Sequence, residues 1–551
     1  MSSPVLTNVV FRGNMAASNG GAMINDGYGG TSNPSLTNVT LGGNTASHGG
    51  GLYNRGDNGG VSAPTLQNVV LWDNTATDAG SQIYNDNGLP VINYSIVESG
   101  DYGIDGTSGL TAFSDGTGNL YDDPSFMDMA NGNLNLRADS GAIDTGNNDD
   151  APLTDIRGLT RPVNVVTDMG AYEYQGCVAG VIHVDQAATG LGTGSSWADA
   201  LTDLSSALLM AASCPDKEIW VAKGMYTPGT DAFDHFAVTP GVTLYGGFAA
   251  TETLRTDRNW TANVTVLSGD IDNNDIKTAT GVITDTANIV GENALHVVSL
   301  DGSSSIVTGA TVIDGFTVTA GNATGEVSRG GGLFCDGWGN GGFCSPTLAN
   351  LHFSGNMARN GGAMYNAGNN GGESSPVLTN VSFSGNTAEL GGAIYNNSQQ
   401  GGVSSPVVSN ASFSNNTAHG GAIWNDGING VSSPVLTNVI FISNTADLGG
   451  AMLNDGEYSG ESSPMLTNVI FSGNRANLDG GAIYNEGYYG AQGSPVLTNV
   501  SFSGNTAAGN GGAIYNEALT AASAPQAEEC SALGATPPRT AHRSITHTGC
   551  R

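Results

Sequence analysis

The sequence predicts an all-β fold: a right-handed parallel β-helix (pectin-lyase-like solenoid), with two β-helical units in tandem. Three observations predict it. A block of about 30 residues recurs nine times, each copy holds only short strand-like pieces, and no helix-length segment separates those pieces. Strands with this period can pair only with their equivalents in the next copy, in parallel and in register, so that each coil buries its apolar positions against its neighbours.

The repeat is marked by one proline in each copy. This proline falls at Pro4, Pro34 and Pro64, and again at Pro346, Pro376, Pro406, Pro434, Pro464 and Pro495. The intervals are 30 and 30 residues in the first group, and 30, 30, 28, 30 and 31 residues in the second. Such constant spacing indicates that every copy forms one coil.

Two short strands are predicted in each copy. Val381 and Phe383 share parity, so their side chains point to one face of the first strand. Leu378 joins that face only if the chain turns at Asn380, and asparagine tolerates the left-handed conformation that such a turn needs. In the second strand, GGAIYN, Ile394 is aliphatic in every copy and is predicted to point inward.

Asparagines recur at three fixed places, represented by Asn380, Asn386 and Asn396. In a stack of coils in register, their side chains are expected to form hydrogen-bonded ladders along the axis. Glycine pairs are expected where the chain turns corners that a Cβ atom would obstruct. A residue type that recurs in every coil is assigned a role in the fold before any role in function. Phe383 and Ile394 are therefore predicted core residues.

Composition and charge narrow the function classes. The chain has 551 residues, 83 glycines and only 12% charged residues, and its net charge of −33 comes from 49 acidic against 16 basic residues. Nucleic acid is excluded as a partner, because binding a phosphate backbone needs clustered lysine and arginine. An acidic surface rich in Asp and Asn suits an extracellular protein and structural Ca²⁺.

Four of the six cysteines lie in two sequence pairs. Cys335 and Cys344 bracket the glycine-rich loop CDGWGNGGFC, and Cys177 and Cys214 bracket the start of a new segment. Each pair is interpreted either as a disulfide or as two small buried residues.

Two segments without the repeat, together with the coils, define the predicted domains. A short capping helix is predicted near 197–212, where apolar residues fall at helical spacing and would cover the unpaired strand edges at the end of a β-helix. The predicted order is coils over 1–90, a closing segment over 91–176, a cap with first coils over 177–330, repeat coils over 331–517, and a disordered, frameshifted tail over 518–551.

These segments carry a family resemblance. The FxxN motif from Phe383 to Asn386, followed by GGAI from Gly391 to Ile394, resembles the repeat of chlamydial polymorphic outer-membrane proteins. The run from 123 to 174 resembles the choice-of-anchor Q segment of bacterial β-helix proteins, and 181–275 is similar to their N-terminal cap. The resemblance implies an exported protein, extracellular or at the cell surface, associated with the outer membrane. The chain opens in mid-repeat, so the export signal and anchor are expected outside this sequence.

Catalysis is not predicted, and no catalytic residue is assigned. A polysaccharide lyase needs a base, yet the repeat coils contain no lysine and their arginines do not recur at one position. The acids Asp26, Asp426, Asp455 and Glu486 are interpreted as solvated loop acids, and His48 and His419 have no partner implied by the sequence. The alternative is a carbohydrate-active β-helix, either a lyase, a hydrolase or a carbohydrate-binding module.

One calcium site is a weaker prediction. Asp270, Asp272, Asn273 and Asp275 place oxygen ligands at alternate positions, although the loop lacks the glycine and the distal glutamate of a calcium-binding loop. The segment 147–155 is similar in composition. No other cofactor is predicted, and a solvated turn is the competing interpretation.

A surface-interaction role is the main functional prediction. Outward Tyr395, Trp424 and Tyr484 would form a partial aromatic stripe that stacks on sugar rings or docks a protein. The alternative interpretation is that the stripe only shields the strand backbone. Partners are expected among glycans and the surface proteins of host or neighbouring cells. No run of the sequence is apolar and long enough to span a bilayer.

Overall fold

The computed structural model describes residues 1–99, 104–106, 116–129, 132–177, 180–214, 217–325, 329–489 and 491–519. The chain divides into two compact units. The first unit comprises Met1–Ile182, Thr189–Leu201 and Leu209–Pro215, and the second comprises His183–Ala188, Thr202–Leu208 and the chain from Asp216 onward. The tail predicted over 518–551 lies outside the described residues from position 520.

A full repeat coil contains four short strands, three of which we name after a residue they share and one after its place at the corner; in Val407–Ser414 and Val435–Ile442 the first two strands are continuous. In one coil these are the leucine strand Val377–Thr379, the phenylalanine strand Ser382–Ser384, the corner strand Thr387–Leu390 and the asparagine strand Ile394–Asn397. Each pairs in parallel with the same strand of the preceding coil, with equivalent residues opposite one another. The predicted parallel β-helix is confirmed.

The first unit stacks such coils in four parallel sheets. The leucine strands are Val5–Thr7, Ser35–Thr37, Thr65–Gln67 and Val91–Asn93; the phenylalanine strands are Val10–Arg12, Thr40–Gly42, Val70–Trp72 and Ile96–Val97; the corner strands are Thr45–His48 and Thr75–Ala79; the asparagine strands are Met23–Asp26, Leu52–Arg55, Ile83–Asp86 and Ile104–Gly106. An antiparallel pair, Phe126–Asp128 with Asn133–Leu136, belongs to the segment that follows the coils.

The second unit joins its leucine and phenylalanine strands into one sheet of 17 strands. In chain order these are Ile182–Val184, Glu218–Ala222, Gly224–Tyr226, Thr243–Phe248, Thr265–Ser268, Val312–Asp314, Thr317–Thr319, Thr347–Ala349, His352–Ser354, Val377–Thr379, Ser382–Ser384, Val407–Ser414, Val435–Ile442, Met465–Thr467, Ile470–Ser472, Val496–Thr498 and Ser501–Ser503. The asparagine strands, together with the strands that precede them in their sheet, are Phe236–Ala237, Val298–Asp301, Leu333–Asp336, Met364–Ala367, Ile394–Asn397, Ile423–Asp426, Met452–Asp455, Ile483–Tyr488 and Ile514–Leu519. Corner strands are Asn322–Ala323, Met357–Asn360, Thr387–Leu390, Thr445–Ala446, Arg475–Ala476 and Thr506–Ala507.

Stacked side chains of one kind fill the core of the second unit. Phe383 and Ile394 are fully buried. Consecutive phenylalanine rings lie 4.7–5.0 Å apart with their planes within 13°, along the column Phe353, Phe383, Phe413, Phe441, Phe471 and Phe502. In-register pairing sets this spacing, because it places each ring directly above its equivalent. Burial of one such side chain contributes about 1.5–3 kcal/mol.

The turn between the leucine and phenylalanine strands is made by a left-handed residue. Asn380 has a φ of 56°, and its equivalents in both units adopt the same conformation. This turn brings Leu378 and Phe383 to the same interior, because it reverses the alternation of the strand. Asparagine tolerates a positive φ better than other residues with a Cβ atom.

One α-helix is present in the described residues, and it is shorter than predicted. It runs from Leu204 to Ser213, whereas the sequence predicted it near 197–212. The helix begins later because Asp203 caps it: the Asp203 carboxylate accepts a hydrogen bond of 2.7 Å from the backbone N–H of Ser206. Residues 197–199 form bends and turns. The described residues also include two short 3-10 helices, Arg255–Asp257 and Thr286–Asn288.

Candidate functional site

The Asn386 position forms a ladder inside the coil stack. Asn386 Nδ2 donates to Asn416 Oδ1 at 3.0 Å and to the Phe353 carbonyl at 3.1 Å. Its Oδ1 accepts from the Nδ2 atom of Asn356 at 3.0 Å. The same link, at 2.8–3.0 Å, joins the equivalents Asn14, Asn44 and Asn74 in the first unit and Asn356, Asn386, Asn416, Asn444, Asn474 and Asn505 in the second. These amides are used by the fold.

The Asn396 position forms a second ladder of the same direction. Each Nδ2 donates at 2.7–2.9 Å to the Oδ1 of the next coil, along Asn25, Asn54 and Asn85 and along Asn366, Asn396, Asn425, Asn454, Asn485 and Asn516. Two ladder ends, Asn366 Oδ1 and Asn85 Nδ2, are buried without a hydrogen-bond partner among the described residues. The neighbouring coil has Cys335 opposite Asn366 and Gly106 opposite Asn85, and neither side chain can continue the ladder.

Both sequence pairs of cysteines are disulfide-bonded in the structure. Cys177 is joined to Cys214, and Cys335 is joined to Cys344. The second bond has a clear place in the coil, because Cys344 occupies the position of Ser374 in the next coil. The Ser374 hydroxyl donates to the Cys335 carbonyl at 3.2 Å. The disulfide therefore links the asparagine strand to the same loop that serine hydroxyls hold elsewhere.

The Asn380 position lies on the outside and forms a ridge. We call Asn350, Asn380, Asn410, Asn438, Asn468 and Asn499 the asparagine ridge. Asn380 Nδ2 donates to Asn350 Oδ1 at 3.2 Å, so this ladder runs opposite to the two interior ladders. In the first unit the equivalent Asn38 is fully buried and donates to the carbonyls of Asp168 and Gly170 at 3.0 and 3.2 Å. In the first unit, this asparagine position therefore binds polypeptide backbone.

The predicted outward aromatic stripe is wrong. Tyr395 and Tyr484 expose only 4% and 5% of their surface, and Trp424 is half-buried. The Tyr395 ring stacks on Tyr365 at 5.2 Å, and a leucine of the corner strand packs against the same cluster. Its hydroxyl donates to Asp426 of the next coil. The side chains do leave the core face, but neighbouring coils and the corner strand cover them.

The sequence suggested that the acids two residues further along these strands are solvated. The structure shows that they are not. Asp426, Asp455, Glu486 and Glu517 lie directly above one another in the asparagine strands, and we call them the acid row. Asp426 and Asp455 expose only 1% and 4% of their surface. Tyrosine hydroxyls donate to this row, from Tyr484 to Glu517 in the last described coil. A tyrosine donor from the preceding coil thus compensates the burial of Asp426.

The acid row holds stacked carboxyl groups of one sign. Burial, and next the charge of the neighbouring Asp455, raise the pKa of Glu486 to about 9. In the first unit, an arginine reduces the repulsion between the acids of the same row. Arg55 lies between Asp26 and Asp86, and its guanidinium is 4.0 and 3.8 Å from their carboxylates. A cation alternates with the acids in the first unit, whereas a proton on Glu486 relieves the repulsion in the second.

The loop with the predicted calcium ligands is held by its own lysine. Lys277 Nζ lies 2.5 Å from Asp270 Oδ2 and 2.5 Å from Asn273 Oδ1. Asp272 accepts from the backbone N–H of Glu292 at 3.0 Å. The fourth residue, Asp275, accepts from the backbone N–H of residue 290, and burial raises the pKa of its carboxyl group. The calcium site stays a prediction, and the described residues include no group of three or more His, Cys, Asp or Glu side chains arranged to hold a metal ion.

A buried ion cluster in the first unit was missed by the sequence analysis. The Arg161 guanidinium and the Glu173 carboxylate, 2.9 Å apart, are almost completely buried. Asp155, in the segment 147–155 that resembles a calcium loop, accepts from Arg157 Nε at 2.8 Å. Burial, and next the charge of Glu173, raise the pKa of Asp168 to about 7. The arginines of RGLTRP were the available signal, because charged residues are scarce in this chain.

Two of the three lysines of the chain line one groove in the second unit. Lys223 and Lys277, with Met225, Thr278 and Thr280, border a shallow cavity of about 460 Å³. Lys223 is exposed, whereas Lys277 is paired with the loop carboxylate described above. The sequence places Lys223 in the cap but does not show that the two lysines are neighbours, because their positions are 54 apart.

The histidines have partners that the sequence did not imply. His419 Nδ1 lies 2.5 Å from the Asp447 carboxylate of the next coil, and His48 lies 3.9 Å from Asp78. A further pair was missed: His352 Nδ1 lies 2.6 Å from the Ser382 hydroxyl. Burial lowers the pKa of His352. In each case one-coil spacing places the partners side by side, which is the ordinary consequence of in-register stacking.

Comparison with known proteins supports the repeat family. Residues 380–397, 410–426, 468–486 and 499–517 match the Chlamydia polymorphic membrane protein (Chlamydia_PMP) repeat. Each match runs from the asparagine ridge through the phenylalanine and corner strands to the asparagine strand. The second unit carries polymorphic-membrane-protein-like repeats. The choice-of-anchor Q resemblance of residues 123–174 stays a prediction.

Sequence and structure searches add little about activity. No curated protein sequence matches the chain. Among solved structures, the PL6 family alginate lyase AlyGC is 12% identical and has a TM-score of 0.29, with 94% of this chain and 66% of the lyase chain covered. A point mutant of that enzyme gives the same identity and TM-score and is covered over 70% of its length. This chain thus spans just under two thirds of the first enzyme, and a TM-score of this size carries no argument about its reaction.

A membrane-spanning helix is not found in the described part of the chain, where the one α-helix has ten residues.

Proposed function

We propose that this chain is a non-catalytic, secreted or cell-surface β-helix protein that acts as an adhesin-like scaffold. The observation that carries the proposal is the use of the recurring polar residues. The asparagines, serines and tyrosines of the coils bond to neighbouring coils instead of converging on a cavity. The polymorphic membrane protein repeat supports the surface location, as does the resemblance of residues 123–174 to a choice-of-anchor segment.

The partners proposed for this scaffold are glycans or surface proteins of host or neighbouring cells. Nucleic acid stays excluded, because a net charge of −33 repels a phosphate backbone. The test is binding of the purified, fluorescently labelled chain to a glycan array and to intact cells. We expect saturable binding to cells or to one class of glycan. Absence of binding to every glycan and every cell type would contradict the scaffold role.

A carbohydrate-active protein is the second candidate, and the lysine groove is the observation that favours it. An exposed ammonium at Lys223, beside Lys277 and two threonine hydroxyls, suits the carboxylates and hydroxyls of a uronate chain. Lys277 is paired with the buried carboxylate of Asp270, so Lys223 is the exposed ammonium of this groove. These features support binding of an acidic polysaccharide more directly than they support its cleavage.

The lysine groove is tested by titrating the chain with oligogalacturonate. If the groove binds uronates, Lys223→Ala should weaken binding at least about tenfold, the loss expected for one charge-assisted hydrogen bond. Lys217→Ala is the matched control, because Lys217 is the third lysine of the chain and does not line the groove. Equal binding by both variants, or none by the unmodified chain, would remove this candidate.

A further inference from the structure

We infer that two copies of this chain associate through an aliphatic patch on the outside of the second unit. The patch spans the leucine and phenylalanine strands of the last four described coils. It consists of Val407, Val435, Ile440, Ile442, Met465, Ile470 and Val496. The inference builds on the proposed surface role by naming one partner, which is a second copy of the chain itself.

The patch is exposed and regular. Its exposed fractions are 41% for Val407, 42% for Ile440, 43% for Ile442 and Ile470, 51% for Met465 and 55% for Val496. Val407, Val435, Met465 and Val496 lie directly above one another in register, and Ile440 lies above Ile470. A contiguous set of exposed aliphatic residues on a soluble surface marks an interaction site more often than isolated apolar residues do.

Charge distribution favours contact between copies at this patch. The strands Val377–Thr379, Ser382–Ser384, Val407–Ser414, Val435–Ile442, Met465–Thr467, Ile470–Ser472, Val496–Thr498 and Ser501–Ser503 contain no charged residue, in a chain with a net charge of −33. The corner strands, in contrast, present exposed Glu389. Like charges brought together at an interface cost several kcal/mol. A neutral face is the surface through which two strongly acidic copies can approach.

The same position in the first unit shows that polypeptide covers it. Thr40, Val70 and Ile96, which correspond to Ile440 and Ile470 in the coil, are completely buried. Val70 and Ile96 pack there against Leu136 and Met169 of the segment that follows the coils. In addition, the backbone N–H of Ala171 donates to Thr40 Oγ1 at 3.0 Å. The outer face of a phenylalanine strand in this protein is therefore able to pack against polypeptide.

A glycan fits this patch less well than a protein surface does. The outward positions of these strands carry valine, isoleucine, methionine, serine and threonine, and none carries the tryptophan or tyrosine that stacks on a sugar ring. Apart from the ridge asparagines, these strands carry no carboxylate and no amide side chain. Such a surface offers dispersion contacts and few hydrogen bonds, which suits another apolar sheet.

Its size predicts a reversible dimer. Four coils at about 4.8 Å and eight residues at about 3.3 Å give a face of roughly 500 Å². Stable interfaces bury about 800 Å² from each partner, so this contact should be weak and dependent on concentration. Two such faces would stack about 10 Å apart, as the two sheets of a sandwich do.

Sedimentation equilibrium of the full chain tests the inference, from low to high micromolar concentration. We expect a monomer–dimer equilibrium whose dissociation constant rises at least about tenfold in the Ile440→Lys/Ile470→Lys double variant. Val290→Lys is the matched control, because Val290 is an exposed aliphatic residue outside the patch, at 46% exposure. Circular dichroism checks that every variant is folded.

Two results would overturn the inference: a chain that stays monomeric at every concentration, or a double variant that dimerises as tightly as the unmodified chain. Glycan and cell binding are measured separately on the same proteins. If the unmodified chain dimerises but binds neither glycans nor cells, the result counts against the scaffold proposal and leaves this dimer contact in place.

Discussion

At the scale of single residues, a buried asparagine in this protein bonds to both neighbouring coils. Asn386 donates twice and accepts through its Oδ1, so nearly all of its amide capacity is used. Buried polar groups are favourable only when they are satisfied, and removing one partner leaves the others unpaired. The same residue type on the exposed ridge has water as an alternative partner.

Replacing Asn386 by alanine should therefore destabilise the second unit by about 2–4 kcal/mol, through the unpaired groups left in the neighbouring coils. Asn380→Gly is the control, because glycine accepts a φ of 56° and the amide it removes is exposed; its effect should stay below about 1 kcal/mol. Urea unfolding monitored by circular dichroism measures both. Equal effects would mean that the interior ladder contributes no more than the ridge.

The glycine pair at the corner gives a second prediction at this scale. A Cβ atom on Gly392 would lie 2.7 Å from the Thr417 carbonyl oxygen of the next coil, and backbone cannot move aside. Gly392→Ala should lower the midpoint of urea unfolding clearly. Gly325→Ala should not, because nothing lies within 4 Å of the Cβ position there and neither glycine has a positive φ. A neutral Gly392→Ala variant would show that adjacent coils can separate at the corner.

At the scale of strands, stacking in register places each side chain next to its equivalents in the neighbouring coils. Hydrophobic and amide positions gain from contact with their own kind, whereas carboxylates repel one another. The acid row of the second unit shows the cost, since the pKa of Glu486 is raised to about 9. The first unit avoids it by placing Arg55 between two aspartates.

This row predicts a pH dependence. An unfolded glutamate has a pKa near 4.5. Between about pH 4.5 and 9, Glu486 is therefore protonated in the folded state and ionised in the unfolded state. Stability of the last coils should therefore be greatest at low pH in this window and fall as the pH rises towards 9. Hydrogen exchange of the strand Ile483–Tyr488 at pH 6 and 9, corrected for the intrinsic rate, measures it.

Glu486→Gln should abolish most of that pH dependence, because the amide mimics the protonated acid. Glu389→Gln, at an exposed corner position, should leave it unchanged. The measurement must be local, since the pKa of Asp168 in the first unit is also raised, to about 7. Exchange of the strand Ile483–Tyr488 that is independent of pH in the unmodified chain would refute the account of the acid row.

The end of the Asn396 ladder yields a prediction for the Cys335–Cys344 disulfide. Replacing both cysteines by serine should destabilise the chain, since the bond closing the loop is lost. In the double variant Cys335→Asn/Cys344→Ser, the new amide lies opposite Asn366, whose Oδ1 has no partner among the described residues, and serine restores the loop contact of the other coils. This variant should recover about 1–2 kcal/mol relative to the double serine variant. Equal unfolding midpoints would show that the ladder does not extend.

At the scale of the whole molecule, the repeat made the coils predictable. Constant spacing identified the strands, Asn380 identified the turn, and the parity of Val381 and Phe383 identified the interior. What the sequence could not provide were contacts between residues one coil apart or in distant segments. The tyrosine cover, the acid row and the lysine groove all depend on such contacts, so exposure was overestimated at Tyr395 and partners were missed at His419.

The central claim is that this molecule presents surfaces and does not catalyse. Turnover of polygalacturonate and alginate, followed by the ultraviolet absorbance of unsaturated uronate with Ca²⁺ added, tests it most directly. The account predicts no rise in absorbance above a buffer control, however long the incubation. A rise that depends on the chain and disappears in the Lys223→Ala variant would contradict it and assign the lysine groove as an active site.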